Sequence, residues 1–379
     1  MSAGLTLFDE RLARLNKAIR LEPVDRVPVV YMGLAFSPRY MGMPMSKYVV
    51  DGDAALEAGL ATADRLGDVD GFNTFPGWIV RYDLTGLWLS RIALPGQELP
   101  EDSLWQVREA EVMTEDDYDA ILDQGWPAFL EGYLPRVIDM DEFLAYDAWY
   151  NNALPAAMDR ARERGYPSVA VGGTTIPFEP LCGGRSMPTF FADLYRRPEK
   201  VKAVMDVMLP HMIELGISSA APDYAPGLWV GGWRAASAML APRIWDKLVF
   251  PYYVQIVEAM HAQGLVSVLH LDQDWTRDLA RLRELPAGSC ILNPDGMTDV
   301  RKAKEILGDR MAIMGDVPAT LFAAGTPDDI FAYVRDLVRD VGPTGLILCP
   351  GCDAPINTKP ENMEAFVAAA HEFGVTASA

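Results

Sequence analysis

Apolar runs and amphipathic helical patterns alternate along the second half of the chain. The runs lie at residues 167–175, 266–272, 289–296, 310–317 and 345–352, with glycine, proline, aspartate or cysteine near the end of each. The later runs are followed by helical periodicity, as in TDVRKAKEILG and PDDIFAYVRDLVRDV. One strand and one helix in roughly every 20–35 residues predict a parallel sheet, and at this chain length a (β/α)8 barrel. A doubly wound open sheet is the alternative.

The first part of the chain starts with the same alternation and then departs from it. MSAGLTLFDERLARLNKAIR has an amphipathic helical pattern, and short apolar runs at residues 27–32 and 69–72 flank a predicted helix over 53–66. VRYDLTGLWLSRIALPG and SLWQVREAEVM are punctuated by turns, which predicts antiparallel hairpins. An acidic helical stretch follows. We therefore expect one barrel domain over residues 1–379, with an N-terminal extension and an antiparallel insertion around residues 78–145.

Composition restricts the partners that the protein can have. The 53 acidic and 33 basic residues give a formal net charge of −20. Nucleic acids and anionic membranes are disfavoured because their phosphates require clustered lysine and arginine. No apolar run reaches the length of a membrane span, and the N-terminus lacks an apolar signal core. The four cysteines are too few for a disulfide framework, so we expect a cytoplasmic protein with reduced thiols.

Side chains with coordinating or acid–base chemistry lie where the predicted strands end. His270 and Asp272 close VSVLHLD, and side chains two apart in a strand face the same side. In a barrel, Asp295, Asp316 and Cys352 would lie at the same face. An imidazole, carboxylates and a thiolate suit a zinc site with an open position. The alternatives are a structural histidine, a redox CxxC pair and, for Asp316, a cap or turn residue.

Two further stretches carry candidate substrate-binding residues. TTIPFEPLCGGRSMP has the pattern of a long loop after a strand and contains Glu179 and Arg185. PDYAPGLWVGGWRAASAML carries Tyr224, Trp229 and Trp233 among glycines. Aromatic side chains on loops at strand ends suit a flat apolar ligand. The alternative is that they pack as a lid against the barrel rim.

Four segments resemble a known family. They are EPVDRVPV (22–29), LAPRIWDKLVFPYYVQIVEAMHAQGLVSVLHLD (240–272), GDVPATLFAAGTPDDIFAYVRDLV (315–338) and GLILCPGCDAPINTKPENMEAF (345–366). With them the chain resembles the uroporphyrinogen decarboxylase superfamily, and within it the cobamide-dependent methyltransferase branch. The resemblance covers most of the chain and is weakest over residues 78–165. It implies the same barrel that the periodicity predicts.

Within this superfamily the resemblance argues against porphyrinogen decarboxylation. Decarboxylases carry an arginine-rich segment after the first strand, and it grips the substrate carboxylates. The corresponding segment here is MGLAFS (32–37), which has no arginine. VDGFNTFPG stands where the decarboxylases have an aspartate-bearing strand.

The methyltransferase branch implies a metal and its ligands. Its members bind zinc through His-x-Cys and a later cysteine in a Pro-Gly-Cys turn. This chain has His270 and Cys352 at those positions, which would also make them the catalytic residues, and Asp272 replaces the middle cysteine. A later carboxylate is a movable ligand in some members, and Asp295 is its match. An oxygen ligand hardens the metal, which favours an oxygen-bearing substrate.

The resemblance therefore implies a methyltransferase I of the kind found in anaerobic O-demethylase systems. It would move a methyl group from a methyl ether, such as a methoxylated aromatic, to the Co(I) corrinoid (cobalamin) of a partner protein. Methylcobamide:thiol transfer of the coenzyme M type, a metal-free decarboxylase-like lyase and a non-catalytic binding protein remain as rivals. A homodimer is an open alternative to a monomer.

Overall fold

Eight parallel strands form a barrel in the computed structural model, which describes residues 3–376. The two ends of the expected 1–379 domain lie outside this range. The ring order is β1–β2–β5–β6–β7–β8–β9–β10, and a parallel bridge between Val29 and Leu348 joins its ends. The (β/α)8 prediction is confirmed, and the doubly wound alternative is wrong. The strands are β1 (Val30–Tyr31), β2 (Gly71–Thr74), β3 (Arg91–Ala93), β4 (Gln106–Arg108), β5 (Ser168–Thr175), β6 (Gly227–Gly232), β7 (Val266–Leu271), β8 (Cys290–Pro294), β9 (Ala312–Val317) and β10 (Leu346–Pro350).

Helices surround the barrel and precede it. In the first half they are α1 (Ala3–Ile19), α2 (Phe36–Tyr40), α3 (Met45–Tyr48), α4 (Gly52–Leu66), α5 (Val80–Trp88), α6 (Asp116–Gln124), α7 (Trp126–Tyr133), α8 (Met140–Asn152), α9 (Leu154–Glu163), α10 (Phe178–Arg185) and α11 (Met187–Arg196). In the second half they are α12 (Pro198–Ser219), α13 (Pro242–Leu248), α14 (Phe250–Ala262), α15 (Val300–Leu307), α16 (Ala319–Ala324), α17 (Pro327–Val341) and α18 (Pro360–Phe373). Short 3₁₀ helices span Leu134–Arg136, Ser237–Met239 and Thr276–Glu284.

The N-terminal extension packs against the barrel interior. Leu15, Ala18 and Ile19 of α1 share one buried apolar cluster with inward-facing strand residues such as Val268 and Ile347. The amphipathic pattern of this segment thus buries its apolar stripe where the barrel would otherwise be open to water.

The segment between β2 and β5 contains the predicted antiparallel element, but less of it than expected. β3 and β4 pair antiparallel, whereas VRYDLTGLW forms helix α5. The Asp83 carboxylate accepts a hydrogen bond from the backbone N–H of Ile79 just before the helix, and the Tyr82 ring stacks on Tyr150 of α8. Tertiary packing against α8 and this local hydrogen bond override the strand propensity of the segment.

Two segments that the sequence presents as loops are regular elements. GLWVGG is the central strand β6, and it pairs with β7 along its whole length and with β5 across a register shift; its glycines allow the close approach of these strands. FEPLCGGR is helix α10, whose residues are all buried. In both cases the glycine content conceals the element from a reading based on periodicity.

Candidate metal centre

Strand pairing brings the predicted strand-end residues to one end of the barrel. His270 lies in β7 in register with Gly231 of β6 and Asn293 of β8. The side chain of His270 is buried and faces the barrel interior. Val268, two residues earlier on the same face of β7, belongs to the apolar cluster that fills this interior. Asp272 follows directly, and its backbone N–H donates to the Gly232 carbonyl at 3.0 Å.

Three side chains with different donor atoms converge at this point. The Asp272 Oδ1 lies 3.4 Å from His270 Nε2, and the Cys352 Sγ lies 3.8 Å from the same nitrogen. One ligand atom from each of the three residues lies within 4.8 Å of the others. Over residues 3–376 no other group of three such side chains lies so close together. Nitrogen, oxygen and sulfur donors in this number fit zinc with one position left for a substrate.

Asparagine side chains occupy the other side of the imidazole. His270 Nδ1 lies 2.8 Å from Asn293 Oδ1, and Asn293 Nδ2 donates to the Met314 carbonyl at 2.7 Å. Asn73 Nδ2 donates to the same Asn293 Oδ1 at 2.9 Å. The sequence analysis missed both asparagines. Their positions in the strand-end segments ILNPD and GFNTF were the available signal.

Burial and charge act in opposite directions on the site. Burial disfavours the charged imidazole of His270, but its interactions with Asp272 and Cys352 outweigh this and raise its pKa well above the ordinary value. Burial also raises the pKa of the Cys352 thiol, while His270 partly offsets the effect.

The structure does not bring Asp295 and Asp316 into this group. The Asp295 carboxylate accepts hydrogen bonds from the backbone N–H groups of Gln273 and Met297, and these hold its loop. Asp316 is neither a helix cap nor a turn residue; it is buried in β9 and accepts a hydrogen bond from the Tyr333 hydroxyl at 2.9 Å. The sequence places both at the strand ends but cannot show that their oxygens are already engaged.

Asp353 is a second carboxylate beside the site that the sequence analysis missed. It follows Cys352 directly and accepts hydrogen bonds from the backbone N–H groups of Leu34 and Ala35. Burial raises its pKa to about 7, against the lowering effect of those hydrogen bonds. This carboxylate thereby joins the turn after β10 to the loop after β1.

Glu179 and Arg185 have structural partners instead of facing a ligand. The buried Glu179 carboxylate accepts hydrogen bonds from the backbone N–H groups of Trp233, Arg234 and Ala235 at 2.8–3.1 Å. The Arg185 guanidinium is buried in ion pairs, the closer of which joins it to Glu111 at 2.6 Å. The sequence predicted both as substrate-binding residues on a long loop, whereas their polar groups are engaged by other residues of the protein.

The three predicted aromatic residues have different environments. Trp229 lies within β6, and its half-buried ring is 5.9 Å from the His270 ring. Trp233 packs edge-on against Trp88 at 5.5 Å on the rim, as lid packing predicts. Tyr224 is buried below the strand and donates to the Tyr166 carbonyl. Trp229 is therefore the aromatic residue of the three that borders the candidate metal centre.

A family model places the chain among known proteins. The model described as uroporphyrinogen decarboxylase (URO-D) matches residues 157–373, which is more than half of the chain. The chain belongs to the uroporphyrinogen decarboxylase family. The resemblance expected from the sequence is thus confirmed, and the matched URO-D segment runs from α9 to α18 and includes all three side chains of the candidate centre.

Relatives with two different activities match almost the whole chain. Methylcobamide:CoM methyltransferase MtbA of Methanosarcina acetivorans is 22% identical over 95% of this chain and 97% of its own. A uroporphyrinogen decarboxylase of Geotalea uraniireducens is 25% identical over 92% of this chain and 95% of its own. A methyltransferase structure from Methanosarcina mazei superposes with a TM-score of 0.71 at 19% identity, covering 96% of this chain and 98% of that one, which supports the shared fold. No helix within the described residues is long and apolar enough to cross a membrane.

Proposed function

We propose that this URO-D family member is a zinc-dependent methyltransferase that exchanges a methyl group between a small molecule and the corrinoid of a partner protein. One observation carries the proposal: His270, Asp272 and Cys352 present nitrogen, oxygen and sulfur donors to one point at the barrel mouth. The full-length similarity to a methylcobamide methyltransferase supports it. Barrel enzymes place their chemistry at this end of the strands.

The alternative activity among the relatives, porphyrinogen decarboxylation, fits the site less well. The loop after β1 contains no arginine to grip substrate carboxylates. Asp353 directs its own carboxylate to the backbone of that loop at Leu34 and Ala35. That part of the site therefore offers a substrate with several carboxylates no cationic partner, in a chain whose formal net charge is −20.

The three ligands determine what a bound metal would contribute. Zinc held by these residues would act as a Lewis acid on the heteroatom that bears the methyl group, an effect worth several kcal/mol. His270 and Cys352 would be the protein's catalytic residues, since both would hold the metal that contacts the substrate. Trp229 borders His270 and shields one side of the imidazole from water.

The ligand at position 272 bears on the methyl donor. We infer that an oxygen ligand in place of a second sulfur favours a methyl ether, such as a methoxylated aromatic, as donor to Co(I) cobalamin. Transfer from methylcobamide to a thiol is the second candidate, because relatives from two Methanosarcina species are named as methylcobamide:CoM methyltransferases. A small methyl donor and a corrinoid protein are the partners of the first reaction.

Metal analysis and paired assays test this function. We expect about one equivalent of zinc in the purified protein by the count of one three-residue site, and loss of zinc in H270A and C352S. A matched control is H261A, on the exposed face of α14. Demethylation of methoxyphenols with cob(I)alamin should require zinc. Full activity after chelation or in H270A would overturn the metal role, and activity confined to methylcobalamin plus thiol would assign the second candidate.

A further inference from the structure

Asn293 has a buried hydrogen-bond arrangement that fixes which way its amide points. The side chain is fully buried at the end of β8. Its nitrogen donates to the Met314 carbonyl, and its oxygen accepts from Asn73 Nδ2. The reversed amide would set oxygen against the Met314 carbonyl and nitrogen against the Asn73 nitrogen. Both contacts would be repulsive, so the orientation follows from the partners on each side.

This orientation decides the state of the imidazole beside it. Asn293 Oδ1 can only accept, and it lies 2.8 Å from His270 Nδ1. Nδ1 must therefore carry the hydrogen. In a neutral imidazole the lone pair then lies on Nε2, the nitrogen that faces Asp272 and Cys352.

We propose that Asn293 is the positioning residue that holds His270 in the Nδ1–H tautomer and aims Nε2 at the metal. This role rests on the metal centre of the proposed function. It also assigns different roles to Asn293 and Asp272. Asp272 does not orient His270 from behind, because Asn293 already occupies that side. Histidine ligands of metals depend on such a partner at the second ring nitrogen for both orientation and basicity.

Three substitutions separate this role from ordinary packing. N293L keeps the shape of the side chain and removes its acceptor, whereas N293D keeps an acceptor toward Nδ1. N362L is the matched control, since Asn362 is also fully buried and donates to three backbone carbonyls, at Leu321, Phe322 and Gly325. Both leucine variants leave buried carbonyls without a donor and should lower the melting temperature. They should differ in metal binding.

Zinc affinity measured by chelator competition is the first readout. N293L should bind zinc about 10–100-fold more weakly than the wild type. N293D should lie much closer to the wild type, and N362L should match it. Equal affinities in N293L and N362L would overturn the proposal.

The second readout is ¹⁵N NMR of histidine-labelled protein, which has only four histidines to resolve. With zinc bound, His270 should show a single N–H, at Nδ1, protected from solvent exchange in the wild type and exchanging faster in N293L. A hydrogen on Nε2 would overturn the proposal. If the wild type binds no zinc, the proposed function fails. The same spectra of neutral His270 at alkaline pH then still decide the tautomer, with Nδ1–H in the wild type supporting it and Nε2–H rejecting it.

Discussion

At the scale of single residues, Asp272 is the position that distinguishes this site. Its carboxylate and the Cys352 thiol approach the same imidazole nitrogen, at 3.4 and 3.8 Å. In the proposed centre, Asp272 would therefore be a metal ligand together with His270 and Cys352. A carboxylate and a thiolate differ in softness, so exchanging one for the other should change the preferred substrate while the metal stays.

D272C tests this directly. The variant should retain zinc, and after replacement by Co²⁺ it should show stronger thiolate-to-metal absorption, because a second sulfur joins the site. Ether demethylation should fall and thiol methylation should rise. D274C is the matched control, two residues further on and exposed, with its carboxylate engaged only at the Thr276 backbone. Identical Co²⁺ spectra for D272C and the wild type would show that residue 272 does not bind the metal.

At the scale of elements, Glu179 connects α10 to the loop after β6. Its buried carboxylate satisfies three consecutive backbone N–H groups, at Trp233, Arg234 and Ala235. Buried backbone donors without an acceptor are costly, so this carboxylate stabilises the loop next to Trp229. These hydrogen bonds predict a contribution of Glu179 to folding stability.

E179Q measures that contribution. One carboxylate oxygen becomes an NH₂ group that faces a backbone donor, which should lower the free energy of unfolding by about 1–3 kcal/mol. Denaturant unfolding followed by circular dichroism gives the value. E111Q, at the exposed end of the Arg185 ion pair, should change it by less than about 1 kcal/mol. An E179Q protein of unchanged stability with a raised KM would restore a substrate-binding role.

Asp83 of α5 makes the folding stability of the protein depend on pH. Burial raises its pKa to about 6, although hydrogen bonds from the Tyr150 hydroxyl and the Ile79 backbone act against this. The folded protein thus binds the proton more tightly than the unfolded chain. The contribution of Asp83 to the free energy of unfolding is therefore fully present below about pH 4 and is lost as the pH rises through about 6.

D83N should remove this loss. A shift of about two pKa units limits the gain in the free energy of unfolding to about 3 kcal/mol. Because the Asp83 side chain is only half-buried, we expect a gain of about 1–2 kcal/mol at pH 8. The gain should vanish toward pH 4. Thermal unfolding of both proteins at the two pH values provides the comparison. A D83N protein that is less stable at pH 8 would contradict it.

The elements also show what sequence patterns can and cannot reveal. Strands β7 to β10 follow from their apolar runs, since buried parallel strands are continuously apolar. Strand β6 was missed because GLWVGG contains three glycines, and its pairing with β5 and β7 is a tertiary fact. Helix α5 was missed because it depends on packing against α8, which periodicity does not show.

At the scale of the whole molecule, the barrel converts sequence order into proximity. His270 and Cys352 are 82 residues apart, yet parallel strands bring both to one end, which the alternating pattern was sufficient to predict. The roles of Asp295 and Asn293 could not be predicted in this way. Asn293 lies within β8 and Asp295 directly follows it. Only their hydrogen bonds show that Asn293 faces the imidazole, whereas Asp295 accepts from backbone N–H groups of the loops after β7 and β8.

Metal binding at this mouth should stabilise the entire barrel. The ligands come from β7 and from the turn after β10, so a bound ion would join elements that lie three places apart in the ring. An ion that binds only the folded state adds about 2.7 kcal/mol to the free energy of unfolding when its free concentration is 100 times its Kd. The melting temperature should therefore rise when zinc is added to chelator-treated protein, and C352S should not respond. C290S, at a buried thiol outside the site, should lose some stability yet show the full zinc response. An equal rise in C352S and the wild type would mean that zinc binds elsewhere.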